Sequence, residues 1–261
     1  MGPGRQSRPA WQPERWVEDT PAKRQRSKPP AASEPPKPKT FLPAEAPRGR
    51  RPPRLPGEVG AELSSAAGPT RAPRLAARLA DASRAYERDR YEDARRILKP
   101  LSEEAPGSAA VRELYGLTLY RMGRWRDAIK QLEAFHTLSG SYDQHPTMMD
   151  CHRALGRHAQ VDSLWTELGE ASPSAELMTE GRIVRAGSLG DRGDLQGAIR
   201  LLDSSAKRVD RPREHHLRLW YALADLYERA GEMPAARDLF GLILRYDRGF
   251  FDAAERQTAL G

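Results

Sequence analysis

One short pattern returns along the chain at nearly constant spacing. Asp89-Arg90-Tyr91, Gly123-Arg124-Trp125, Gly156-Arg157-His158, Gly193-Asp194-Leu195 and Gly231-Glu232-Met233 lie 34, 33, 37 and 38 residues apart. Each is followed closely by a small or β-branched residue: Ala94, Ala128, Val161, Ala198 and Ala236. A period of this length is that of a helix-turn-helix unit, which cannot bury its apolar face alone and must stack on copies of itself. From about Ala72 the apolar residues follow helical periodicity between short Gly- or Asp-containing turns, with no alternating strand-like run and no Asn-Gly hairpin signal. The spacing predicts five stacked units and an all-α chain.

The amino-terminal part obeys different physics. Residues 1–70 hold 15 of the 22 prolines and 13 Lys and Arg against 7 Asp and Glu, so six of the seven net positive charges lie there. A segment so poor in clustered aliphatic side chains cannot offset its ordering entropy. Its Pro-Arg runs favour extended backbone, so a disordered basic arm is expected over 1–70. Within it, Leu55, Val59 and Leu63 have the spacing of a short helix that could precede the first unit, although Gly57 and Gly60 weaken it. Trp11 and Trp16 stand out as candidate anchors, for the chain's own groove or for a separate partner.

The last unit resembles the tetratricopeptide repeat family most closely. Trp220, Leu223, Ala224 and Tyr227 fall on its first helix, Gly231 at the turn, and Ala236 and Phe240 on its second. The second unit keeps Gly116, Leu119, Gly123, Ala128 and Leu132, with Arg112 and Gly140 where the family usually carries Trp and Pro. The first keeps Ala82, Ala94, Leu98, Leu101 and Pro106. The third keeps Val161, Trp165, Leu168 and Pro173 after a short first helix around Met148, Met149 and His152, and the fourth keeps Ala186, Gly193, Ala198 and Leu202. The resemblance covers residues 74–249. It implies a right-handed solenoid of about ten antiparallel helices over 71–249, and residues 250–261 read as a capping helix anchored by Leu260.

What the resemblance implies for function is a concave groove, lined by first helices, that holds a protein or peptide. The inward positions are Tyr86, Glu87, Leu117, Tyr120, Arg121, Asp150, Arg153, Arg218, Tyr221, Asp225 and Glu228. Aromatics beside Arg suit partner segments carrying carboxylates or apolar anchors. The family subtype that clamps chaperone carboxylates with Lys and Asn is not expected in a chain without Asn. A non-catalytic adaptor is therefore expected. The alternative is an RNA- or ribosome-associated protein in which Lys23, Arg24, Arg26, Lys28, Arg48, Arg50, Arg51 and Arg54 contact a polyanion.

Catalytic signatures do not occur. There is no Gly-rich phosphate loop, Gly-x-Ser-x-Gly elbow or His-Glu-x-x-His pair, and Asp191-Arg192-Gly193-Asp194 reads as a helix start. His145, Cys151, His152 and His158 lie within fourteen residues, but one thiol and scattered imidazoles fit no standard ligand spacing. Pro146 is expected to open the helix with His145 before it, His215-His216 to be solvated, and Met148-Met149 to fill core. No cofactor or metal is expected. One cysteine permits no intrachain disulfide, and the amino terminus carries no secretory apolar run. A cytoplasmic, membrane-free protein follows, and the Arg-rich, Asn-free composition suggests a high-GC bacterial origin.

Overall fold

The computed structural model describes residues 56–206 and 209–261. Every regular element among them is a helix: α1 (Pro56–Ala67), α2 (Ala72–Glu87), α3 (Tyr91–Glu104), α4 (Ala109–Arg121), α5 (Trp125–Ser139), α6 (His145–Ala154), α7 (His158–Ala171), α8 (Ala175–Asp191), α9 (Leu195–Asp203), α10 (Glu214–Arg229), α11 (Met233–Leu244) and α12 (Ala253–Ala259). The pairs α2–α3, α4–α5, α6–α7, α8–α9 and α10–α11 are the five expected units. The residues assigned to the basic arm through Arg54, with Trp11 and Trp16, lie outside the described residues.

The repeated turn is a repeated hydrogen-bond motif. Asp89, Gly123, Gly156, Gly193 and Gly231 take φ values of 57°, 70°, 69°, 86° and 82°. In each turn the next residue's N–H donates to the carbonyl five positions back, as Arg124 does to Leu119 at 2.9 Å and Glu232 to Tyr227 at 2.8 Å. The left-handed residue donates three back, as Gly123 does to Tyr120 at 2.9 Å. This is the Schellman closure, which satisfies the carbonyls a helix end leaves open and reverses the chain in three residues. So tight a reversal forces the two helices together.

Small residues sit where they meet. Ala82 and Ala94, Ala186 and Ala198, and Ala224 and Ala236 are all completely buried. Gly116 shows why: a Cβ there would lie 2.7 Å from Leu132 Cγ. In the third unit Met149 and Val161 take these places, both buried, and α6 is the shortest of the five first helices. The two methionines are core, as expected.

The helical array begins earlier than residue 71. Helix α1 forms despite Gly57 and Gly60, because it gains partners that local propensity does not count. Leu63 is fully buried against α2, and Glu62 Oε1 accepts from Ser108 Oγ at 2.5 Å and from the Ala110 N–H at 2.8 Å, capping α4. The carboxyl-terminal helix starts later than expected, at Ala253. Phe250 and Phe251 form the preceding turn and pack edge-on against Tyr221, with Leu260 beside the same cluster.

Gly116→Ala is expected to lower stability by about 1–2 kcal/mol, since overpacking against Leu132 outweighs the helix-propensity gain. A urea midpoint that falls at constant slope would check it; an unchanged midpoint would mean that α4 and α5 have room to separate.

Candidate functional site

First helices of neighbouring units touch one another from α2 through α4, α6, α8 and α10, whereas second helices pack chiefly against first helices. The first helices therefore lie side by side along one face of the stack, here the inner face. Three glycines in α8 admit its neighbours, Gly187 and Gly190 the adjoining first helices and Gly181 the second helix α7. A Cβ on Gly181 would meet Leu168 of α7 at 2.5 Å, one on Gly187 the Arg153 guanidinium of α6 at 3.0 Å, and one on Gly190 that of Arg229 of α10 at 3.2 Å. Each glycine weakens an isolated helix by roughly 1 kcal/mol, and here each admits a neighbour.

The inner face is laced by bonds that span about one repeat. Arg121 pairs with Asp89 at 3.4 Å and lies over the Tyr91 ring. Tyr120 donates to Asp150 at 2.8 Å. Arg153 donates from Nε to Asp191 at 2.6 Å and from Nη1 to Asp150 at 3.2 Å. Arg218 grips Glu180 with both branches, at 2.5 and 2.9 Å. Arg229 reaches the Gly190 carbonyl at 3.1 Å. Arg256 closes the series on Asp225 at 2.9 Å and Glu228 at 2.7 Å, and donates to the Tyr221 hydroxyl, which donates to Asp252 at 2.6 Å.

Titration follows from these contacts. Burial and then Asp150 push Tyr120 well above its ordinary value. Burial and the bond to Asp252 push Tyr221 up to about 12. Burial pulls Arg153 down, but Asp150 and Asp191 more than offset it and raise the guanidinium. Burial raises Asp225 in spite of Arg256. The charge of Arg153 is thus used inside the stack.

Of the eleven inward positions, Glu87 is exposed, Asp150 and Glu228 are half-buried acceptors, and the other eight fall into two groups. Arg153, Arg218 and Tyr221 are no more than 5% exposed and hold neighbouring units together. Their arginines already carry carboxylates of this chain, which sequence spacing does not reveal. Tyr86, Leu117, Tyr120, Arg121 and Asp225 are half-buried and keep an accessible edge. The acceptors Glu180 and Asp191 complete the seam without any sequence mark beyond lying one repeat from their arginines.

The histidines divide likewise. His145 is the first residue of α6, ahead of Pro146, and is buried, not exposed before the helix. Its ring lies 4.8 Å from His136 and 4.6 Å from Tyr142, with Nε2 3.6 Å from Glu167 Oε2, beyond hydrogen-bond range, so neither nitrogen has a hydrogen bond among the described residues. His158 Nδ1 meets Ser188 Oγ at 2.8 Å, in another place altogether. His215 and His216 are half-buried rather than solvated, and His216 Nδ1 accepts from the Arg213 N–H at 3.0 Å to cap α10. Among the described residues no three His, Cys, Asp or Glu side chains converge as metal ligands, and no helix is long and apolar enough to cross a membrane. Burial raises the Cys151 thiol well above its usual value, which keeps it unreactive.

A stack of two-helix units with first helices along one face is the architecture of a helical-repeat protein, and comparison with known proteins finds the same fold. Residues 85–135 match the tetratricopeptide repeat model, spanning the first turn and most of the second unit. The fold is similar to the crystal structure of a thermophilic tetratricopeptide repeat protein from Thermus thermophilus. That likeness covers 71% of this chain and 98% of the other, with a TM-score of 0.56 and 15% identity. No curated protein matches the sequence. Residues 85–135 are thus similar to tetratricopeptide repeats in sequence, and the helical array shares the fold of a tetratricopeptide repeat protein.

Two outcomes test the seam. Arg218→Ala should cost about 3–5 kcal/mol by stranding buried Glu180, whereas a double change of Arg218 and Glu180 to Met should cost far less; equal losses in urea melts would remove the pair from this role. Burial, followed by His136 or Arg157, lowers His145 and His152 below 6.5. Their neutral forms favour the fold fully above the unfolded value, and that contribution is lost as pH falls from about 6.5 through the folded values. His145→Phe should flatten the decline in melting temperature between about pH 7 and 5; a parallel decline in both proteins would assign it elsewhere.

Proposed function

We propose that the inner, first-helix face binds a protein partner and that the chain acts as an adaptor with no catalysis of its own. The observation that carries this is the continuous contact of α2, α4, α6, α8 and α10, which lines one face with first-helix side chains. Tetratricopeptide repeats serve protein interaction generally. In the first two units that face keeps accessible edges, where Tyr86, Leu117, Tyr120 and Arg121 are half-buried on α2 and α4. Aromatic rings beside a guanidinium supply rigid contact area and directed donors. The third to fifth units are more occupied by their own ion pairs, so they present a preformed wall.

The second reading, RNA held by Lys23, Arg24, Arg26, Lys28, Arg48, Arg50, Arg51 and Arg54, draws its support from charge: these cations belong to the segment that carries six of the seven excess positive charges. In that case the repeats recruit a second component. The cytoplasm is the compartment this reading assumes.

A photo-reactive benzoylphenylalanine at Leu117 in the full chain should cross-link a defined protein in native lysate, nuclease-treated or not. The same probe at Lys130, on the exposed side of α5, should not, and Arg121→Ala should weaken the product at unchanged melting temperature. Equal labelling from Lys130 would refute the inner-face assignment, and a product lost to nuclease would put RNA in its place.

A further inference from the structure

Position for position, the seam between the third and fourth units departs from the others. Nine residues after each turn glycine or aspartate the second helix places a large side chain: Leu98, Leu132, Trp165, Leu202 and Phe240. Four of these are completely buried, and Trp165 of α7 is only half-buried. Its indole lies beside α8, where Arg182 and Arg185 stand one helical turn apart. Their guanidinium carbons are 5.7 and 5.6 Å from the ring centroid.

The two arginines differ in their partners. Arg185 pairs with Asp162 of α7 at 3.2 Å, and Arg192 holds the other oxygen of that carboxylate at 3.4 Å. Among the described residues Arg182 contacts the indole and bonds no carboxylate or carbonyl. Burial alone acts on its guanidinium and pulls it below its ordinary value. The corresponding arginines, eleven residues before their turns, are satisfied within their own units: Arg78 donates to Glu104 at 2.5 Å and Arg112 to Gln131 at 2.8 Å. In the fourth unit Leu201 stands where the second has Gln131, and α9 ends at Asp203, well short of the length by which α3 reaches Glu104. The fourth unit thus keeps the donor, with Leu201 and Arg208 in sequence where the other units carry Gln131 and Glu104.

A half-buried guanidinium with five N–H groups and no acceptor is costly unless something supplies one. We propose that Arg182, Arg185 and Trp165 form a receptor for a carboxylate side chain in an acidic segment of a partner protein. The planar fork of Arg182 accepts a carboxylate bidentately, and the indole face shields that bond from water. The accessible part of the indole receives an apolar neighbour in the same segment. Asp162 holds Arg185 and Arg192 in place and cancels one of their charges, so the set presents charge for one or two carboxylates. A nucleic-acid strand needs a longer basic track, and residues 71–261 hold 30 Lys and Arg against 29 Asp and Glu. On α8 this receptor lies nearly opposite Glu180 and Asp191, which face the inner seam, since two residues advance about 200° around a helix. It is a second surface, and cross-linking from Leu117 does not report on it.

The test uses the full chain at about 0.15 M salt, where distant charges are screened. The probes are a fluorescein-labelled hexapeptide alternating glutamate with leucine and an oligouridylate of equal charge, both read by anisotropy. Arg182→Gln should weaken the peptide by about tenfold or more, the loss of one charge-assisted bidentate contact. Trp165→Phe should weaken it less, and Arg237→Gln, exposed on α11, not at all. The melting temperature of Arg182→Gln should equal or exceed that of the parent, because an unpaired cation is removed. Unchanged peptide affinity in Arg182→Gln, equal losses in Arg237→Gln, or an Arg182-dependent preference for the oligouridylate would each overturn the proposal. So would a lowered melting temperature, which would make the Arg182 contact with Trp165 a structural one.

Discussion

The three-residue reversal between paired helices sets the terms for everything else in this protein. A turn closed by Schellman bonds holds the two helices close, so in four of the five units their crossing is filled by residues with little or no side chain, while the third places Met149 and Val161 there with its short α6. Ala82 with Ala94, Gly116 with Ala128 and Ala224 with Ala236 meet that demand, and all are buried. Once paired, each unit still exposes apolar surface on both sides, and stacking is the only way to cover it. Leu63 and α1 cover one end of the stack and Phe250 with α12 the other.

Stacking is not uniform. An apolar cluster runs from Leu63 to Cys151, and others occupy the fourth and fifth units and the cap. Between them the buried residues include His145, His152, Arg153, Thr179, Glu180 and Ser188. Polar groups in a dry interior must find partners, and here the partners of the buried arginines lie one repeat away, which converts a weakness in apolar packing into directed bonds between first helices. The glycines of α8 belong to the same solution, since Arg153 and Arg229 rest where any side chain would stand.

This division shapes where binding can occur. A surface already bonded to itself makes a rigid wall, and the proposed contacts fall on the edges that remain open, Tyr86, Leu117 and Arg121 on the first-helix face and Trp165 beside α8. Both are built on helices whose rotation is fixed by buried neighbours, so their side chains are held before a partner arrives, which lowers the ordering cost of binding.

The number of units, the position of every turn, the all-helical class and the core roles of Met148, Met149, Ala236 and Phe240 were legible in the sequence. They depend on local backbone chemistry and on periodicity, and both are written along the chain. What tertiary structure alone decided is which polar residues pair. Arg153 reaches Asp191 and Arg218 reaches Glu180 across 38 residues of sequence, while among the described residues Arg182 reaches no carboxylate, although all three are arginines on first helices. Helix α1 was decided there too, because Glu62 caps a helix 46 residues away. Spacing places a side chain on a face; whether that face meets an acceptor depends on helix lengths and on the close approach that a glycine in the neighbouring helix permits.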